Sequence, residues 1–246
     1  MALSCALLAA AISAASGQST FQNLGFEMAD VSHPDYLSRV PFANAFPYWE
    51  ASGLHDDPVW VPRGPINSAY YNASDMDQMT VGIYDASGPA GHPVFGTYTA
   101  YIEADLSPGR QYDIELSQTG LIPASARSIR FISTSYTSVE GVSAQLSFSV
   151  NGITLPCLAL DAEPAYTQWA ADVSAYAGTT NQICFTVAAQ YPYDDSSQEH
   201  VLVGVGLDNI AFSTTVVPEP GCLGLFAVGA LVLAVAARRG GLLLRD

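Results

Sequence analysis

Between Gln111 and Ser117 the chain alternates polar and apolar residues without a break, and this two-residue period is the strongest constraint on its fold. Successive side chains of a strand point to opposite faces, so Tyr112, Ile114 and Leu116 share one face and Asp113 and Glu115 the other. Gln145 to Val150 repeats the pattern and runs into Asn151-Gly152, a pair that accepts the positive φ values of a tight hairpin, before Ile153-Thr154-Leu155. Residues 99–103, 128–133, 168–173, 183–189 and 201–212 are further strand candidates, separated by turn formers such as Ser107-Pro108-Gly109. No segment from 20 to 215 carries a long apolar stripe of helical period. The pattern predicts an all-β chain, an antiparallel jelly-roll sandwich over residues 18–215.

Both ends break this pattern. An apolar stretch over residues 2–12 leads into small residues 13–17, which predicts an export signal peptide over residues 1–17, cleaved after Ala15 or Gly17. The positive charge that usually precedes such a stretch is missing, and a buried N-terminal helix is the alternative. At the other end Val217-Pro218-Glu219-Pro220 precedes residues 221–237, which carry no charge, and then Arg238-Arg239. A helix over that run would span roughly 25 Å at ~1.5 Å per residue, the short end of what a bilayer core requires. The prolines delimit it, because neither continues a helix on its N-terminal side. The arginine pair would stay cytoplasmic and leave the residues before 218 outside. Residues 216–246 therefore read as a single-pass membrane anchor with a transmembrane helix over 221–237. A buried hydrophobic helix would have to explain why the run stops at two arginines.

Pro218, Glu219 and Pro220, the apolar span, and Arg238 and Arg239 together resemble the PEP-CTERM sorting signal of Gram-negative bacteria. The match covers residues 217–239, and residues 240–246 make the ending slightly longer than is typical. The resemblance implies an exosortase-like membrane protease as partner. It also implies an inner-membrane-anchored precursor, and a final place in the cell envelope or outside the cell.

Charge narrows the partners of the middle domain. The chain has 8 basic residues, all arginines, against 23 acids, for a net charge of −15. Such a surface repels phosphates and anionic lipid heads, which argues against nucleic-acid binding. Asn23-Leu24-Gly25-Phe26-Glu27 and Gly206-Leu207-Asp208-Asn209-Ile210-Ala211-Phe212 resemble the first and last strands of galactose-binding-like jelly rolls, which occur in many carbohydrate-binding modules. Leu106 to Tyr112 is similar to the turn that enters a central strand of that family, and Trp169 falls where such domains often place a tryptophan. Residues 30–95 depart from the family, being longer and richer in Pro, Asp and Tyr. The resemblance implies extracellular polysaccharide as ligand. It also implies a structural calcium ion between first and last strands, with Glu27 and Asp208 as ligands. A hard cation wants carboxylate and carbonyl oxygens, and two adjacent carboxylates repel without one. The alternative places both acids at solvated strand ends.

Sugar recognition stacks aromatic faces on pyranose rings while carboxylates accept from hydroxyls. Trp60 and Tyr71, beside prolines and polar residues, are the ligand candidates; Trp49 and Trp169 read as core. Catalysis is not expected. Asp56-Asp57 and Asp194-Asp195 are sequence neighbours rather than opposed groups. His33, His55, His92 and His200 lack zinc spacing, and there is no Gly-x-Ser-x-Gly elbow. A glycoside hydrolase is the least favoured alternative. Cys5 and Cys222 belong to the terminal segments. Cys157 and Cys184 remain, either as a disulfide formed on export or as two reduced core cysteines. The expected function is that of an exported, non-catalytic envelope or matrix protein, with polysaccharide binding as the overlapping alternative.

Overall fold

The alternation of residues 113–117 becomes a division between core and solvent: Ile114 and Leu116 are fully buried, while Asp113, Glu115 and Ser117 are half-exposed. The computed structural model describes residues 20–55, 64–73, 80–88, 95–107, 110–137, 143–190 and 201–217. The export signal over 1–17, Trp60, the sorting residues Pro218, Glu219, Pro220, Arg238 and Arg239, and the helix over 221–237 lie outside the described residues. Among the described residues no helix is long and apolar enough to cross a membrane.

Strands dominate the described chain. They are β1 (Arg39–Pro41), β2 (Glu50–His55), β3 (Gly64–Pro65), β4 (Ser68–Tyr71), β5 (Thr80–Tyr84), β6 (Thr99–Ser107) and β7 (Arg110–Leu121), followed by β8 (Ser128–Thr137), β9 (Ser143–Val150), β10 (Ile153–Leu155), β11 (Cys157–Glu163), β12 (Tyr166–Asp172), β13 (Thr180–Gln190) and β14 (Val201–Ser213). One sheet, A, runs β10-β9-β13-β7-β2-β3; the other, B, runs β1-β4-β5-β6-β14-β8-β12-β11. The base of the β6–β7 hairpin, Leu106 with Gln111, passes the chain between them. All pairs are antiparallel except β4 with β5. This is the all-β jelly-roll sandwich expected from the sequence. The Asn151-Gly152 turn has the two positive φ values, 50° and 77°, that join β9 to β10.

The inner faces are chiefly apolar, with Gln118 of β7 and Asn181 of β13 as buried polar exceptions. Ile114 and Leu116 of β7, Phe148 and Val150 of β9, Ile183, Phe185 and Val187 of β13 meet Ile129 and Phe131 of β8 and Val203, Val205 and Leu207 of β14. Phe185 sits at the centre, with ring centroids 5.1 Å from Phe131, 5.1 Å from Phe148 and 6.3 Å from Trp49. Trp49 is core as expected, and Trp169 packs against the same cluster while its indole N–H donates to Ser133 Oγ at 2.8 Å. A second, smaller cluster of Tyr70, Ala73, Tyr84 and Tyr101 is separate from this core.

Two expectations need correction. Asn23 to Glu27 is not a strand: Asn23 and Phe26 take φ values of 52° and 58°, so the segment turns instead of extending. It is tied down all the same, because Gln22 N–H donates to Gln118 Oε1 at 2.7 Å and Gln118 Nε2 donates back to Gln22 O at 2.9 Å. The bridge between Cys157 and Cys184 is not formed, and both thiols are free. Ile183 and Phe185 point inward, so Cys184 between them faces out of sheet A toward Thr186. Cys157, paired with the fully buried Ala171, packs against the interior. The two sulfurs occupy opposite sides of sheet A, and burial pushes each thiol up to about 11.

Phe185→Ala removes the ring that both sheets share. It is expected to destabilise the fold by about 3–5 kcal/mol, measured by denaturant unfolding of the chain.

Candidate functional site

The turn at residues 23–27 sets the site. Phe26 is fully buried against Phe46 (centroids 5.8 Å) and Trp49 (5.5 Å), and the Trp49 indole N–H donates to Asn23 O at 3.0 Å. With Phe26 anchored inward, Glu27 next to it emerges at the rim of sheet B. Its carboxylate accepts the Thr97 amide at 2.9 and 3.0 Å. Gly96 makes this approach possible: its φ is +73°, and a Cβ there would overlap Glu27 Oε1.

Asp208 comes from β14. Leu207 faces the core, so Asp208 faces the outer side of sheet B, opposite Ile132 of β8. The Thr99 hydroxyl donates to Asp208 Oδ2 at 2.8 Å and accepts the Phe95 amide at 2.9 Å; the Asn209 amide donates to Asp208 Oδ1. Asp208 is only 3 % exposed. Burial, and then the charge of Glu27, push its carboxyl up to about 7 despite those hydrogen bonds. The sequence-predicted pair is therefore brought together: a Cβ on Gly25 would lie 3.8 Å from Asp208 Oδ1 and 3.9 Å from Glu27 Cγ.

Around this pair opens a cleft of about 440 Å³. Its floor holds Glu27, Asp208 and Gln168, and Asp161 of β11 adds a third carboxylate. Phe95 and Tyr166 form an aromatic wall, edge to face with centroids 5.1 Å apart. Nothing in the alternation flagged these residues. Asp161 follows a register shift in β11, and Tyr166 follows the Pro164-Ala165 turn, whose proline is a turn signal in the sequence. Among the described residues no group of three or more His, Cys, Asp or Glu side chains could hold a metal ion. Any cation at Glu27 and Asp208 would need backbone and water oxygens to complete its shell.

Tyr71 lies elsewhere. Its hydroxyl donates to Asp85 Oδ2 at 2.6 Å, and Asp85 Oδ1 accepts from Asn72 Nδ2 (2.7 Å) and from Ser87 N and Oγ (2.8 and 2.6 Å). Those donors outweigh the burial that opposes them and hold the Asp85 carboxyl well below the usual range. The phenol is committed to a turn.

No family model matches the chain, and no curated protein matches it. Among solved structures the chain is similar in fold to TmCBM61, a structure in complex with β-1,4-galactotriose. That match has 15% identity and a TM-score of 0.39, and covers 79% of this chain and 99% of the other. The chain is also similar to the enzymatically active domain of bacteriophage CBA120 tailspike protein 4. Here identity is 10% and the TM-score 0.37, with 79% of this chain and 21% of the other covered. The expectation of a chain without catalysis is withdrawn, because one of these folds is by its own description an enzymatically active domain.

Asp208 gives the site a pH signature. Below about pH 4 its carboxyl is protonated in folded and unfolded chains alike. As pH rises from there to about 7, the unfolded chain releases the proton while the folded chain keeps it. In chelator, stability is therefore expected to fall between about pH 4 and 7 more steeply for the wild type than for Asp208→Asn, read by denaturant unfolding at each pH.

Proposed function

We propose that this chain is an exported bacterial surface protein whose sandwich binds extracellular polysaccharide and whose tail sorts it to the envelope. The observation that carries the binding half is the cleft beside Glu27 and Asp208, where an aromatic wall of Phe95 and Tyr166 stands over carboxylates and an amide. That is the combination sugars require: ring faces for the C–H side, and acceptors at fixed positions for the hydroxyls. With no lysine in the chain and three carboxylates at the cleft, the favoured ligand is a neutral glycan, since uronates and sulfated sugars would meet like charge. Calcium is a structural addition at the same end. Glu27 and Asp208 supply two hard oxygen donors, and a cation would offset the burial and, to a lesser degree, the Glu27 charge that raise the Asp208 carboxyl. Calcium in place of chelator would then flatten the pH slope of the wild type and leave Asp208→Asn unchanged.

The sorting half rests on the sequence. Pro218, Glu219 and Pro220 break the chain, residues 221–237 match the short end of a membrane span, and Arg238 and Arg239 stop it. An exosortase-type membrane protease is the expected partner.

Two measurements test the halves separately. On a glycan array the full chain is expected to retain neutral polysaccharides, and Tyr166→Ala and Asp161→Asn each to weaken retention at least tenfold; binding to no glycan would sink the reading. In an exosortase-containing Gram-negative host, replacing Pro218, Glu219 and Pro220 by alanine is expected to leave unprocessed protein in the inner-membrane fraction. Wild-type and variant proteins that fractionate identically would refute sorting through this tail.

A further inference from the structure

The sandwich has a second polar hollow, on the opposite outer face from the first. On β7, Ile114 and Leu116 point into the core, so Glu115 and Ser117 face out of sheet A; on β2, Ala51 points inward, so Glu50 and Ser52 face out beside them. The register pairs Glu50 with Ser117 and Ser52 with Glu115, so carboxylates occupy one diagonal of the patch and hydroxyls the other. Gln182 of β13 reaches in from the next strand. The hollow measures about 520 Å³, and Pro65 and Ile66 bound it with an apolar wall.

Its hydrogen bonds are loose. Ser52 Oγ lies 3.4 Å from Glu115 Oε2, and Gln182 Nε2 lies 3.4 Å from Ser117 Oγ. Contacts of that length contribute little, so the oxygens keep acceptor capacity for an incoming ligand. No basic residue lines the hollow among the described residues, and two carboxylates face into it. Anionic ligands are disfavoured there, whereas a hydroxyl-rich neutral ligand finds acceptors, a side-chain amide and an apolar wall within one site.

We propose that this face of sheet A is a second saccharide site, so that one chain holds two neutral glycan strands, one on each side of the sandwich. The cleft at Glu27 and Asp208 opens on the outer face of sheet B, and this hollow on the outer face of sheet A, with about 10 Å of core between the layers. A short oligosaccharide lying in one site does not reach the other, which faces away from it. Two sites facing opposite ways make the chain a cross-linker of polysaccharide, since each strand it joins raises the local concentration of the next. The inference rests on the polysaccharide reading above.

The test uses the full chain with neutral oligosaccharides (fragments of galactan, dextran and galactomannan) for stoichiometry by calorimetry, and the parent polysaccharides for cross-linking by light scattering. Expected are two oligosaccharides per wild-type chain and growth of scattering with polysaccharide. Either E50A/E115A or Tyr166→Ala should leave one oligosaccharide per chain and abolish the scattering growth. Should E50A/E115A lower the melting temperature sharply, Gln182→Ala serves instead, with at least tenfold weaker binding expected at one of two sites. One oligosaccharide per wild-type chain, with affinity untouched by E50A/E115A or Gln182→Ala, overturns the second site and leaves the polysaccharide reading standing. Absence of any saccharide binding overturns both.

Discussion

The burial of Phe185 between two sheets is the constraint on which the rest of the structure depends. Its ring touches Phe131 from sheet B and Phe148 from its own sheet, and through Trp49 it reaches Phe26. Fixing those side chains inward fixes every neighbour outward, because strand side chains alternate. Glu115 and Ser117 face solvent because Ile114 and Leu116 do not, and Asp208 sits on the outer side of sheet B because Leu207 and Val205 fill the core. Polar chemistry on both faces is thus a consequence of apolar packing within.

Phe26 extends the same logic beyond the strands. The turn at Asn23 to Glu27 has no ladder of its own, and it is held instead by a buried ring, by the Trp49 indole, and by the reciprocal pair between Gln22 and Gln118. The outcome is a carboxylate delivered next to Asp208, which is itself buried and hydrogen-bonded. Two acids placed so close, one of them out of water, oppose folding at neutral pH unless a proton or a cation intervenes. The fold carries that strain at a rim where the aromatic pair Phe95 and Tyr166 also gathers, and electrostatic tension beside an aromatic wall marks the rim as a binding candidate.

How far the sequence could be read follows from the range of each signal. The alternation of residues 111–117 and 145–150 is local, and it placed β7 and β9 along with the Asn-Gly turn. Glu27 and Asp208 are legible as a pair only through the resemblance of their segments to the first and last strands of galactose-binding-like jelly rolls. Asn23 to Glu27 was misread as a strand because its two positive φ values come from tertiary anchoring of Phe26 and not from turn residues alone. Tyr71 reads as a ligand candidate from its polar neighbours, yet Asp85, fourteen positions away, accepts from its hydroxyl. Cys157 and Cys184 both lie on strand-like runs, but the parity of each relative to the core decides whether sulfurs can meet, and theirs differ. Asp161, Tyr166 and the hollow over Glu50 and Glu115 are products of cross-strand register, which no single segment encodes.

Charge then ties the two faces together. A chain with no lysine and a net charge of −15 keeps few cations to answer a polyanion, and its clefts place Glu27, Asp161, Glu50 and Glu115 where a ligand would enter. Carboxylates accept hydrogen bonds but donate none when ionised, so a partner recognised at these places must bring its own donors. Sugar hydroxyls bring such donors without bringing charge. The same acidity that argues against nucleic acid and anionic lipid therefore favours neutral, hydroxyl-bearing ligands on both sides of the sandwich, and it does so from the outward half of an alternation whose inward half builds the core.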